Sequence, residues 1–119
     1  MEIIKLSKEE MRRFLVTYQG LCAGKQFAGK EGVLEFIKRV GCVQYDPLDV
    51  VGRNADLVLQ SRIEDYSERM LYDLLYKDRA LVDGWDKMMS IYPASDWPYF
   101  KRIRKIKDQE IKWVFKHRH

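Results

Sequence analysis

Apolar residues recur along this chain with two different periods, and the change comes near residue 80. In "LSKEEMRRFLVTYQGL" (6–21), Met11, Phe14, Leu15 and Tyr18 stand at helical spacing and form one apolar stripe. Ser7 with Glu10 three places on is a capping box, and Gly20 is a stop signal, so the first helix is predicted between them. "GKEGVLEFIKRVGC" (29–42) predicts a second helix, with Val33, Phe36, Ile37 and Val40 on one face and Gly41 closing it. "GRNADLVLQSRI" (52–63) predicts a third. Its apolar positions include Ala55, Leu57, Val58 and Leu59, and Arg53, Asn54, Gln60 and Arg62 are left for a polar side. "SERMLYDLLYKD" (67–78) predicts a fourth, capped by Ser67 and buried through Met70, Leu71, Leu74 and Leu75. The stretch "LCAGKQFAGKEG" (21–32) reads as a loop, because its glycines fit neither phosphate-binding spacing.

From "RALVDGWDKMMSIYP" (79–93) onward the pattern is that of two short strands in a hairpin. Asp83-Gly84 is one candidate turn and Asp86-Lys87 the other. "ASDWPYFKRIRKIKDQEIKWVFKHRH" (94–119) reads as a linker and then a basic amphipathic helix. The expected fold class is α+β, mainly α with a small β-hairpin. Helices followed by a hairpin is the element order of a winged helix. Residues 1–94 would form that domain, and 95–119 the linker and helix of a longer protein. The long connection at 41–51 leaves room for a short strand pairing with the hairpin.

Composition narrows the picture. The chain has 119 residues, of which 46% are hydrophobic and 34% charged, which suits one solvated domain with one core. No apolar run approaches the roughly 20 residues that span a bilayer, and the N-terminus shows no secretory signal, so no membrane partner is expected. Cys22 and Cys42 read as free, buried thiols of a cytosolic protein. His117 and His119 lie away from any cysteine or carboxylate cluster, so no metal site is expected. The net charge is +4. Residues 101–119 hold eight Lys/Arg against two Asp/Glu, so the basic character belongs to the tail. Such a tail attracts phosphate without selecting its source.

The most informative stretch is "GCVQYDPLDVV" (41–51). If Val43 to Asp46 is extended, Gln44 and Asp46 share one face and Val43 and Tyr45 the other. Pro47 favours this, since a residue before proline is pushed out of the helical region. Alternatively, Asp-Pro opens a helix with Asp46 as its N-cap, a role worth about 1 kcal/mol, and Asp49 offers itself for the same job. The residues alone leave both open.

"GCVQYDPLDVVGRNADLVLQSRI" followed by "LYDLLYKDRALVDGWDKMMSIYPASDWPYF" resembles the N-terminal region of the YcaQ (AlkX) and AlkZ type crosslink-repair DNA glycosylases, winged helix DNA-binding domain proteins. The similarity starts at "LSKEEMRRF" and runs to about Arg104. It implies tandem winged-helix units in longer proteins, with double-stranded DNA carrying alkylated bases or crosslinks as the partner. The alkylated bases it implies are notably N7-alkylguanine and nitrogen-mustard-type crosslinks. The family's active site has a glutamine, an apolar residue, then aspartate or a second glutamine, which Gln44, Tyr45 and Asp46 match.

The chemistry implied is a monofunctional hydrolysis with no metal and no organic cofactor. Asp46 would face the developing oxocarbenium ion and Gln44 would hold water or sugar. Arg53, Asn54, Gln60 and Arg62 on the third helix and Lys87 near the hairpin tip are the candidates for holding DNA. The alternatives are a winged-helix regulator without catalysis and a protein-interaction domain on the same fold.

Overall fold

Residues 3–86 and 88–118 are described by a computed structural model of the chain. Ser7 opens the first helix, α1 (Lys8–Tyr18), as its capping box requires. The Ser7 hydroxyl accepts from the Glu10 amide at 3.2 Å, and the Glu10 carboxylate accepts from the Ser7 amide at 2.7 Å. No residue of α1 is buried, and its apolar stripe faces outward. The helix is tied to the body near its end, where the Tyr18 hydroxyl donates to the Arg39 carbonyl at 2.6 Å.

The core begins beyond it. β1 (Phe27–Ala28) leads directly into α2 (Gly29–Val40) and pairs in parallel with β3 (Ile63–Glu64). This two-residue ladder lies in segments that read as loop and helix, since two residues are too few for an alternation to register. α2 buries Val33, Phe36 and Ile37 and half-buries Val40, as its spacing predicts. β2 (Val43–Gln44), α3 (Asn54–Gln60) and α4 (Glu68–Tyr72) follow, and α4 runs on into a π-helical turn at Asp73–Lys77. Leu71, Leu74 and Leu75 are buried there, but Ser67 makes no side-chain cap.

The hairpin is β4 (Leu81–Trp85) and β5 (Met89–Pro93). Trp85 pairs with Met89, so the chain reverses between those two residues and not at Asp83-Gly84; Lys87 of the other candidate turn lies outside the described residues. Asp83 and Gly84 are inside β4. β2 adds to the free side of β5, with Val43 opposite Ile91 and Gln44 opposite Ser90, giving a sheet ordered β2-β5-β4. One apolar cluster joins Phe27, Phe36 and Ile37 to Val43, Leu59, Ile63, Leu74, Leu81 and Ile91. Each such side chain contributes about 1.5–3 kcal/mol on burial.

Residues 94–100 form a 3-10 helix that passes without a break into α5 (Lys101–His117). Phe100 stacks on the buried Tyr92 ring at 4.1 Å, and the Arg104 guanidinium lies 3.7 Å over Trp97. α5 itself buries nothing. The radius of gyration is 17.4 Å, against about 13.5 Å for a compact domain of this length. No helix among the described residues is long and apolar enough to cross a membrane.

Two expectations need correction. Asp46 caps no helix: α3 starts at Asn54, its N-cap position is Arg53, and Asp49 instead forms a β-bridge with Arg53. The connection runs extended because Tyr45 continues the ladder, its amide donating to the Met89 carbonyl at 2.8 Å. The cysteines are free but only half-buried. Burial, helped by the Asp86 carboxylate, pushes the Cys42 thiol above its ordinary value.

Candidate functional site

The strand β2 sets the site by alternation. Val43 turns inward and is 5% exposed, and Tyr45 packs against the core cluster. Gln44 and Asp46 therefore turn the other way, Gln44 exposed and Asp46 half-buried. Both line one open cleft of about 290 Å³, together with Leu48, Val50, Val51, Gly52, Asn54 and Leu57. The Gln44 amide nitrogen makes a long contact, 3.7 Å, to the Met88 sulfur. Asp46 Oδ1 accepts from the Leu48 amide at 2.8 Å in a two-residue turn. That bond fixes the carboxylate and uses one of its two oxygens.

Asp46 also borders a second cleft, about 360 Å³, with Tyr45, Pro47, Arg53 and Met89. The carboxylate thus stands on a ridge between a guanidinium on one side and an amide on the other. Arg53 is exposed, and its ion pair to Asp49 is a long one, 4.0 Å. Asn54 donates to the Gln44 carbonyl at 3.3 Å, so it braces the strand that carries the pair. Arg53 and Asn54 are therefore brought to the site.

Gln60 and Arg62 are not. Gln60 lies at the far end of α3, where its carbonyl accepts from Lys25 Nζ at 2.8 Å. Arg62 spends its guanidinium on the chain itself. It donates to the Gln19 carbonyl at 2.9 Å, the Val58 carbonyl at 3.0 Å and the Ser61 hydroxyl at 2.6 Å, and it lies 5.3 Å over the Phe36 ring. Burial lowers its pKa from the usual guanidinium value. Lys87 lies outside the described residues.

Sequence reasoning missed the apolar wall of the first cleft. Leu48, Val50 and Val51 are 71%, 88% and 84% exposed, beside the polar pair. The available signal was a run of apolar residues between two turn formers, Pro47 and Gly52. A buried polar pair also escaped it. The Tyr66 hydroxyl donates to the buried Asp56 carboxylate behind α3, and burial followed by that bond raises the phenol far above its ordinary range. This pair bolts α3 to the loop before α4. Another cleft, about 290 Å³, lies between Trp85 and α5, but its wall is mainly apolar (Ile111, Val114, Phe115) with Lys107 and Glu110 paired at its rim.

Among the described residues no group of three or more His, Cys, Asp or Glu is placed to hold a metal ion. What the cleft can do follows from a carboxylate held at one oxygen and an exposed amide within one open wall. Together they can hold a water and stabilise positive charge on something lying across them.

No solved structure matches the chain. A family model described as DNA glycosylase AlkZ-like matches residues 37–114, roughly two thirds of the sequence. The match starts in the last turn of α2 and takes in the whole of β2, the Gln44–Asp46 ridge, the hairpin and most of α5. α1 and "LSKEEMRRF" fall outside it. A match of that extent, containing every residue that lines the cleft, places this chain in the AlkZ-like DNA glycosylase family.

Proposed function

We propose that this chain is the base-excising module of a glycosylase for alkylated DNA bases, N7-alkylguanine above all, with Gln44 and Asp46 as the catalytic pair. The observation that carries the reading is their shared cleft on the segment matched to the family. A winged helix is the scaffold this reading calls for: helices α2, α3 and α4 beside a sheet ordered β2-β5-β4 support it, with β4 and β5 serving as the wing.

An N7-alkylguanine is already cationic, so the base leaves as a neutral molecule with little acid help. Positive charge builds on the sugar as the C1′–N9 bond breaks. The Asp46 carboxylate faces that charge, and Oδ2, which the Leu48 turn leaves open, accepts a proton from the attacking water. The Gln44 amide holds the water or the sugar. Water adds to C1′, the base departs, and an abasic site remains. Bulky adducts and crosslinks resist being swung into a closed pocket. An open cleft beside a wing admits them, which supports unhooking of crosslinks as part of the activity.

The test is incubation with duplex DNA carrying N7-methylguanine, with free 7-methylguanine read by chromatography. Asp46→Asn keeps the oxygen that accepts the Leu48 N–H but loses the charge. It is expected to bind DNA nearly as well as the unmodified protein and to release no base. Equal release by the variant removes Asp46 from the chemistry. Tight binding to one duplex sequence without release favours a regulator instead, and binding indifferent to salt argues against a phosphate-contacting surface.

A further inference from the structure

The connection between Asp46 and α3 is more built than a passing loop needs to be. It starts at Pro47, is braced by the Asp46–Leu48 turn, and closes through the β-bridge and ion pair between Asp49 and Arg53. Gly52, at its end, has φ +136°, and a Cβ there would stand 3.1 Å from Leu57. Glycine alone meets both conditions at the loop's end without strain.

What it holds up is apolar. Val50 and Val51 are 88% and 84% exposed, and Leu48 is 71% exposed. β-branched side chains have few rotamers, so they present a stiff edge and lose little entropy on contact. The loop's one charge of its own, Asp49, is answered by Arg53. Nothing between Pro47 and Gly52 is basic. Such an edge is unsuited to phosphate and suited to the faces of bases. It also shares its cleft with Gln44, Asp46 and Asn54, so whatever lies against the polar pair lies against these side chains too.

We infer that Leu48, Val50 and Val51 form an apolar wedge that enters the base stack next to the damaged base and opens the duplex towards Gln44 and Asp46. The inference rests on the reading of that pair as facing DNA. Wedges of this chemistry unstack a step and bend the duplex, which would bring the sugar of a neighbouring nucleotide into an open site.

The experiment uses this chain with a duplex in which the alkylated guanine sits on a 2′-fluorinated sugar, which resists release, and its neighbour is 2-aminopurine. Anisotropy reads binding, and 2-aminopurine emission reads unstacking. Binding by the unmodified chain should raise the emission several-fold. The Val50→Ser/Val51→Ser double variant should keep its melting temperature, since neither side chain packs in the core. It should still bind through phosphate contacts, and leave the emission near that of free DNA. Val50→Ile/Val51→Ile should restore the rise. On a cleavable duplex the serine variant should release base roughly tenfold more slowly or worse, because the unstacking step is no longer assisted.

An equal rise with the serine variant overturns the wedge and leaves the catalytic reading standing, as does binding by the unmodified chain with no rise. No binding at low salt by the unmodified chain overturns the reading of the site and the wedge with it. If a second copy of the chain covers these tips instead, sedimentation will show a dimer that the serine variant abolishes, and that result also overturns the wedge.

Discussion

Gly84→Ala should loosen the sheet that carries the site. Gly84, Ser90 and Gln44 form one rung across β4, β5 and β2. The Tyr92 ring lies against the glycine: a Cβ at Gly84 would stand 2.7 Å from the Tyr92 hydroxyl oxygen and 3.2 and 3.3 Å from two ring carbons. An ordinary contact is about 3.5–4 Å, so the ring must move by several tenths of an ångström. It has little room to do so. Tyr92 is fully buried and stacks on Phe100 at 4.1 Å. Overpacking of this kind costs about 1–3 kcal/mol. For a chain of this size that is a fall of about 4–12 °C in the melting temperature. Thermal unfolding followed by far-UV circular dichroism measures it. Adding Tyr92→Phe removes the nearest atom and should recover part of the loss, a coupling between the two positions. A single variant that melts within a degree of the unmodified protein, or a double variant no better than the single, contradicts the steric reasoning.

The two arginines assigned to DNA from the sequence should separate. Arg62→Ala breaks three hydrogen bonds to the chain and should cost about 1–3 kcal/mol in a urea titration. Arg53→Ala should shift stability by under about 0.5 kcal/mol, its ion pair being long and exposed. It should weaken DNA binding instead and reduce the salt slope by about 0.9. Tyr66→Phe leaves the buried Asp56 carboxylate without its donor, for a loss of about 1–3 kcal/mol in the same titration. The capping box gives a pH dependence. Its bonds from Ser7 hold the Glu10 carboxyl below its ordinary value of 4.5, so its support for α1 is complete above that pH and fades as pH falls through the lowered value. Amide protection in residues 8–18, taken relative to the unstructured exchange rate at each pH, should fall there, and Glu10→Gln should flatten the response.

The periodic parts of the fold were legible because one physical rule fixes them. Val33, Phe36 and Ile37 could only be buried on one side of a helix, and Val43 with Tyr45 only on one side of an extended segment. The strand added to the hairpin was legible from the length of the 41–51 connection. Two kinds of feature were not. Short ladders such as Phe27–Ala28 with Ile63–Glu64 depend on a partner some 35 residues away and leave no local trace. The choice between turns at Asp83-Gly84 and Asp86-Lys87 lies in the pairing across β4 and β5, where Trp85 stands opposite Met89, and no turn preference encodes it. At the site, Gln44 and Asp46 followed from alternation. Arg62 could not be told from Arg53, since both are basic residues at the ends of one helix and only the surrounding carbonyls distinguish them. α1 taught the opposite lesson: a clear apolar stripe says that a face wants cover, and in this chain nothing buries it.

The most direct measurement is a double-mutant cycle on base release. Single-turnover liberation of 7-methylguanine would be followed for the unmodified chain, Gln44→Ala, Asp46→Asn and the pair together. If the amide and the carboxylate act on one transition state in one cleft, either single change should remove nearly all of the rate, and the second should add little to the loss. Losses that simply multiply, or singles that release base at the original rate, would mean that the two side chains share a wall but not a reaction.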